Sequence, residues 1–107
     1  MSNQQANISN AFLTFRDEAP QQAEAWAELV QKLGQASALD RKTAALVYIA
    51  VLAALRLESG IPFHVNAAKA QGASREEVIS AVLVGLPAAG HSVTQVLPAA
   101  IATYDAA

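Results

Sequence analysis

The twelve residues from Ala44 to Leu55 are apolar throughout except for the hydroxyl of Tyr48, and no other part of the chain limits the fold so strongly. Asp40 stands ahead of the run as a good N-cap and Arg56 follows it, so the segment reads as one helix from Asp40 to about Arg56. It is well short of the ~20 residues that span a bilayer, so no membrane is expected. A helix without a polar face must be covered all round. Two or three neighbouring helices of a 107-residue chain can hardly do that, which points to packing between subunits. The bland alternative is a central helix in a monomeric bundle. Composition favours the first reading, because 53% of the residues are hydrophobic and only 15% are charged. A chain this small leaves much of its surface in water, and monomers rarely expose large apolar patches. A homo-oligomer is therefore expected.

The other segments are helical as well. Asn7 or Ser9 can cap a short helix bearing Phe12 and Phe15, which ends at Asp17–Pro20. From Pro20 a second helix places Ala23, Trp26, Ala27, Val30 and Leu33 on one face and Glu24, Glu28, Gln31 and Lys32 on the other, with Gly34 expected to close it. After the break at Leu57–Pro62, a fourth helix should start at Pro62, run to about Gln71 and stop at Gly72. Ser74 and Glu77 have the spacing of a capping box ahead of the apolar run Val78–Leu86. Pro87 interrupts that helix, and a last one is expected from about Gly90 towards Tyr104, bent or shortened by Pro98. No segment alternates as a strand does. The expectation is a single all-α domain over residues 1–107, a bundle of about six helices.

The formal net charge is −2, and the seven Lys and Arg are scattered. No basic stripe exists to neutralise a run of phosphates, so nucleic acid is not an expected partner. The chain has no cysteine. That excludes disulfides, a thiolate nucleophile and thiolate metal ligands, and it fits a reducing compartment. The stretch Met1–Asn10 is polar and uncharged, unlike a secretory signal, so the expected location is the cytoplasm.

The titratable groups that could carry chemistry are few. His64 falls near the start of the fourth helix, where the N-terminal partial positive charge opposes imidazolium and favours a neutral ring able to act as a base. The structural alternative is a packed histidine bonded to a backbone carbonyl. His91 follows Gly90 at the expected start of the last helix, and the same dipole argument applies to it. A catalytic zinc takes three protein ligands, and two histidines without acids at ligand spacing do not supply them, so no metal is expected. Ser59 and Ser92 are placed as helix caps and stand in no nucleophile-elbow pattern. Glu58 can pair with Arg56, face water, or serve as an acid or base.

Three pieces of the chain, in order and spacing, resemble one known family. They are Leu39-Asp40-Arg41-Lys42-Thr43 opening the apolar helix, Phe63-His64-Val65 after the break, and Ala70-Gln71-Gly72-Ala73-Ser74-Arg75-Glu76-Glu77-Val78. From Leu39 to about Gln95 the chain is similar to the carboxymuconolactone decarboxylase and AhpD-like alkylhydroperoxidase family. The resemblance implies an all-helical fold assembled as trimers or hexamers, with the reactive site near the start of the helix bearing His64. It also implies what is missing. The peroxidase branch carries a Cys-x-x-Cys pair four and seven residues before the histidine, and those positions are Gly60 and Leu57 here. The upstream glutamate falls on Ala45, and the residue before the second cysteine is Ser59. Only His64 remains of that relay.

Two functional readings follow. One is a cofactor-free decarboxylase or isomerase-type lyase acting on a small carboxylated or lactone-like metabolite. In it His64 is the acid or base, Arg41, Lys42 or Arg56 holds the substrate carboxylate by charge, and Glu58, Ser59 and His91 are further candidates for substrate contact. The other is a non-catalytic oligomer that keeps the fold and binds a small ligand or a partner protein. Thiol peroxidase chemistry is outside both, because a thiolate must attack the peroxide. The purified protein should therefore show no alkyl hydroperoxide turnover coupled to a thiol reductant, and a protein-dependent rate in that coupled assay would overturn this reading.

Overall fold

The computed structural model describes residues 8–106, all of whose regular elements are helical. They are α1 (Asn10–Glu18), α2 (Pro20–Ala36), α3 (Arg41–Leu55), α4 (Ile61–Ala70), α5 (Arg75–Leu83), α6 (Leu86–Ala89) and α7 (Leu97–Asp105), with 3₁₀ turns at Glu58–Gly60 and Gly90–Val96. The caps explain most boundaries. Ser9 accepts the Phe12 N–H to begin α1, and Asp40 accepts the Thr43 N–H at 2.7 Å to begin α3. The other expected cap, Asn7, lies outside the described residues. Ser74 and Glu77 form the complete capping box at the start of α5, with exchanged bonds of 3.0 and 2.8 Å.

Three expectations are corrected. Gly34 does not close α2, which continues to Ala36 because Gln35 and Ala36 are good helix formers and tolerate the glycine before them. Residues Gly90–Val96 wind as a 3₁₀ helix and not as the first part of a long last helix, so His91 is not at an α-helical N-terminus. Pro98 does not bend α7 but stands in its first turn, so that of the two expected effects the shortening is the one observed, the α-helix beginning only at Leu97. A proline lacks the N–H that an interior position needs, and at the start of a helix that N–H has no partner to lose. The same logic seats Pro20, Pro62 and Pro87 in the first turns of α2, α4 and α6.

The core is built around one side of α3. Ile49, Leu52 and Ala53 are buried there against Ile61, Val65 and Ala68 of α4, Val78 and Val82 of α5, Val93 and Val96 of the 3₁₀ segment, and Ala100 of α7. The end of α7 is fastened to the turn between α4 and α5. The Tyr104 hydroxyl donates to the Ala73 carbonyl at 2.7 Å, Lys69 Nζ donates to the Tyr104 carbonyl at 2.7 Å, and Arg75 holds Asp105 with two bonds of 2.9 and 3.2 Å. That last pair also shows how the long apolar stretch from Arg75 to Asp105 is folded. A straight helix of this length would hold its ends about 45 Å apart, so the stretch turns back on itself and does not form one membrane-length rod.

The N-terminal hairpin stands apart from this core. α1 and α2 pack mainly on each other, with Phe12 against Trp26 at 5.4 Å between ring centroids, and within α2 only Ala23 is buried. The radius of gyration, 14.1 Å, exceeds the roughly 13 Å of a compact domain this long, consistent with a projecting arm. Nor is α3 covered all round within one chain. Its outward side leaves Val47, Tyr48, Val51 and Leu55 about half exposed.

Because the capping box satisfies two otherwise orphaned N–H groups at the head of a core helix, Ser74→Ala should lower stability by about 1 kcal/mol. Urea or thermal unfolding would measure this, and an unchanged midpoint would contradict it.

Candidate functional site

His64 is held in place by the start of α4. The 3₁₀ turn Glu58–Gly60 leads directly into Ile61, whose buried side chain and that of Val65 fix the helix on the core and leave His64 on its partly buried flank. The imidazole stacks on the ring of Tyr48 from α3, with centroids 4.3 Å apart and planes inclined by 24°. Phe63 meets it edge-on at 5.2 Å. The histidine thus packs against two aromatic rings, one of which carries a hydroxyl.

Its hydrogen bonding matters more. Among the described residues neither ring nitrogen has a hydrogen-bond partner, and no buried side-chain nitrogen or oxygen is left unsatisfied. The nitrogens therefore reach solvent. The structural alternative, a histidine bonded to a backbone carbonyl, is not what the fold contains. Burial pushes the His64 pKa below its ordinary value, because the charged ring loses hydration that its aromatic neighbours do not replace. The lowered pKa favours the uncharged form of the ring at neutral pH.

The remaining candidates are distributed along α3 and the turn that follows it. Lys42 is committed elsewhere, with Nζ 2.9 Å from Glu77 Oε2. Glu77 in turn is held below the usual glutamate range, first by the Ser74 backbone N–H and then by Lys42. Arg41 is exposed at the first position of α3. Arg56 is the left-handed C-cap of α3 (φ 60°), exposed and, among the described residues, unpaired with Glu58 or any other acid. Glu58 and Ser59 are exposed in the turn just before α4. His91 is exposed in the 3₁₀ segment. Tyr48 was not among the candidates, since a lone tyrosine in an apolar helix, sixteen residues before the histidine, carries no local signal.

An open apolar groove lies between α3 and α5, with Leu46, Val47 and Ala50 facing Ala81 and Val84 and with Glu76 at its rim. Leu46 and Ala50 each differ from Tyr48 by two positions, which on a helix is close to the opposite side. The groove is thus separate from the His64 site.

Comparison with protein families matches residues 20–102 to the carboxymuconolactone decarboxylase family. The chain belongs to that family. No curated protein and no solved structure gave a match. In this carboxymuconolactone decarboxylase family member, the positions where the resemblance would place the cysteine pair can now be located. Leu57 is half exposed after α3, and Gly60 adjoins the imidazole, since a Cβ built on it would lie 3.9 Å from His64 Cδ2 and 3.4 Å from Leu52 Cδ1. The place beside the histidine is present and the sulfur is not.

The lowered His64 pKa has a defined effect on stability. Above the unfolded-state pKa of about 6.5 the ring is neutral in both states and costs nothing. As pH falls below that value the unfolded chain binds a proton first, so stability declines until the folded pKa is passed. His64→Gln should flatten this part of the pH–stability curve. The decline at lower pH, from Asp40, Glu77 and Asp105, should remain, because hydrogen bonds hold their carboxyls below the ordinary range. Nuclear magnetic resonance titration of the ring checks the cause directly, and a His64 pKa at or above ~6.5 would refute it.

Proposed function

We propose that this protein is a cofactor-free acid–base enzyme of the decarboxylase type, acting on a small carboxylated or lactone-like metabolite, with His64 as the proton-transfer group. The observation that supports it is the state of His64. Its ring is neutral, oriented by Tyr48 and Phe63, and free at its nitrogens to meet a ligand. In such a reaction the bond to the substrate carboxylate breaks, carbon dioxide leaves, and the electron pair passes into a conjugated group of the substrate. His64, once it has taken up a proton, returns it to carbon. Arg56 is better placed than Lys42 to hold the carboxylate, because its guanidinium is uncommitted and it precedes the turn that leads to His64. The working form is a homo-oligomer, trimer or hexamer, with the site close to a subunit contact.

A carboxylated unsaturated lactone is the probe of choice. It should shift the His64 ring resonances on titration and be turned over with release of carbon dioxide. Loss of a positioned acid or base typically costs ~10²–10⁴ in rate, so His64→Asn should reduce turnover by that range while keeping the melting temperature and assembly state. If such lactones leave the His64 resonances unmoved, or if His64→Asn turns them over at the parent rate, the enzymatic reading falls. A non-catalytic binding protein would then be preferred.

A further inference from the structure

α2 and α3 each present an apolar stripe that the chain itself leaves about half exposed, Trp26 also touching Phe12. On α2 the stripe is Trp26, Leu29, Val30 and Leu33, at the spacing of one helical face, with exposures from 42% to 62%. On α3 it is Val47, Tyr48, Val51 and Leu55, with exposures from 47% to 61%. The two are alike in length, each covering about two turns. They belong to parts of the fold that barely touch, since α2 packs mainly on α1 and is joined to α3 only through residues 37–40.

We infer that the α1–α2 hairpin is an exchanged arm: the α2 stripe of one copy seats on the outward face of α3 in a second copy. The inference builds on the oligomer proposed above and names the surfaces that make it. A second copy is the occupant for three reasons. It carries the complementary stripe, of the same length and the same aliphatic and aromatic chemistry. The arm is already detached from its own core, so no native packing must be broken to present it. Finally, each of the eight side chains leaves roughly half its surface in water, and two such contacts would bury on the order of 1,500 Å², the size of a stable specific interface. The two contacts belong to a reciprocal exchange, in which a pair of copies trade arms about a twofold axis. Tyr48 takes part in both arrangements, with one ring face on His64 and the rest of its surface in the covered stripe, so the arm of the second copy forms an outer wall of the His64 site.

The absence of cysteine allows a clean test on the full-length protein. Val30 and Val51 lie near the middle of the two stripes, so they come close whichever way the helices run. Co-expressed Val30→Cys and Val51→Cys chains should yield a mixed covalent dimer on mild oxidation, at least tenfold more than either self-linked product. Leu29→Lys with Leu33→Lys, and separately Val51→Lys, should each lower the mass measured by sedimentation while leaving the helical circular dichroism unchanged, because all three sites are exposed in the single chain. A monomeric parent protein, an unchanged mass in either Lys variant, or cross-links only between identical positions would overturn the arm exchange. None of these results depends on turnover, so they are distinguishable from a failure of the His64 chemistry.

Discussion

Burial of one side of α3 is the interaction on which the rest of the molecule depends. Ile49, Leu52 and Ala53 have almost no contact with water, and α4, α5, the 3₁₀ segment and α7 all place their largest buried residues against them or one another. Deleting methylene groups from such a centre costs about 2–5 kcal/mol for a leucine or isoleucine cut to alanine, a large share of the stability of a domain this size. The same packing positions the chemistry. Tyr48 is on the helix that Ile49 and Leu52 anchor, and His64 is on the helix that Ile61 and Val65 anchor, so the stacked pair follows from how α3 meets α4.

Much of this was legible in the sequence because it rested on local rules. The capping box at Ser74 and Glu77, the cap at Asp40 and the apolar run behind it need only nearby residues, and they appear where the pattern places them. What was not legible depended on competition between local signals or on distant pairs. Gly34 looked like a stop, yet the cost of one glycine inside a helix, about 1 kcal/mol, is too small to end it when good helix formers follow. Pro98 looked like a kink within a helix, but a helix can begin at a proline more easily than it can absorb one, and the residues before it took a 3₁₀ path. The site divides in the same way. His64 was found from its place after a break and from the family resemblance, whereas Tyr48 reaches it only through tertiary packing. Lys42 was chosen by charge, and the structure engages it with Glu77, thirty-five residues away.

Without cysteine, thiol chemistry is excluded at the place beside His64 where the family resemblance would put a sulfur. A Cβ at position 60 would make ordinary contacts with Leu52 at 3.4 Å and with His64 at 3.9 Å. His64 instead has the rings of Tyr48 and Phe63 against it and Gly60 beside it. An imidazole in such surroundings is harder to protonate, so the uncharged form is favoured at neutral pH while the ring is a weaker base than a fully hydrated one.

The two sides of α3 meet opposite demands, which explains why so apolar a segment stands in a chain this small. The inner side needs volume and shape to fill the core. An isolated monomer would gain from polar residues on the outer side, because Val47, Val51 and Leu55 are exposed there. A polar outer side would also be the simpler sequence, since an amphipathic helix satisfies both solvent and core. That α2 is amphipathic shows the chain does follow this rule elsewhere, yet α2 turns its apolar face away from the core. Two half-exposed apolar faces in one chain would be accounted for together if each covers the other across copies, as proposed above. Under that arrangement a substitution on the outer side of α3 would reach the histidine through Tyr48, linking assembly to the site by one aromatic ring.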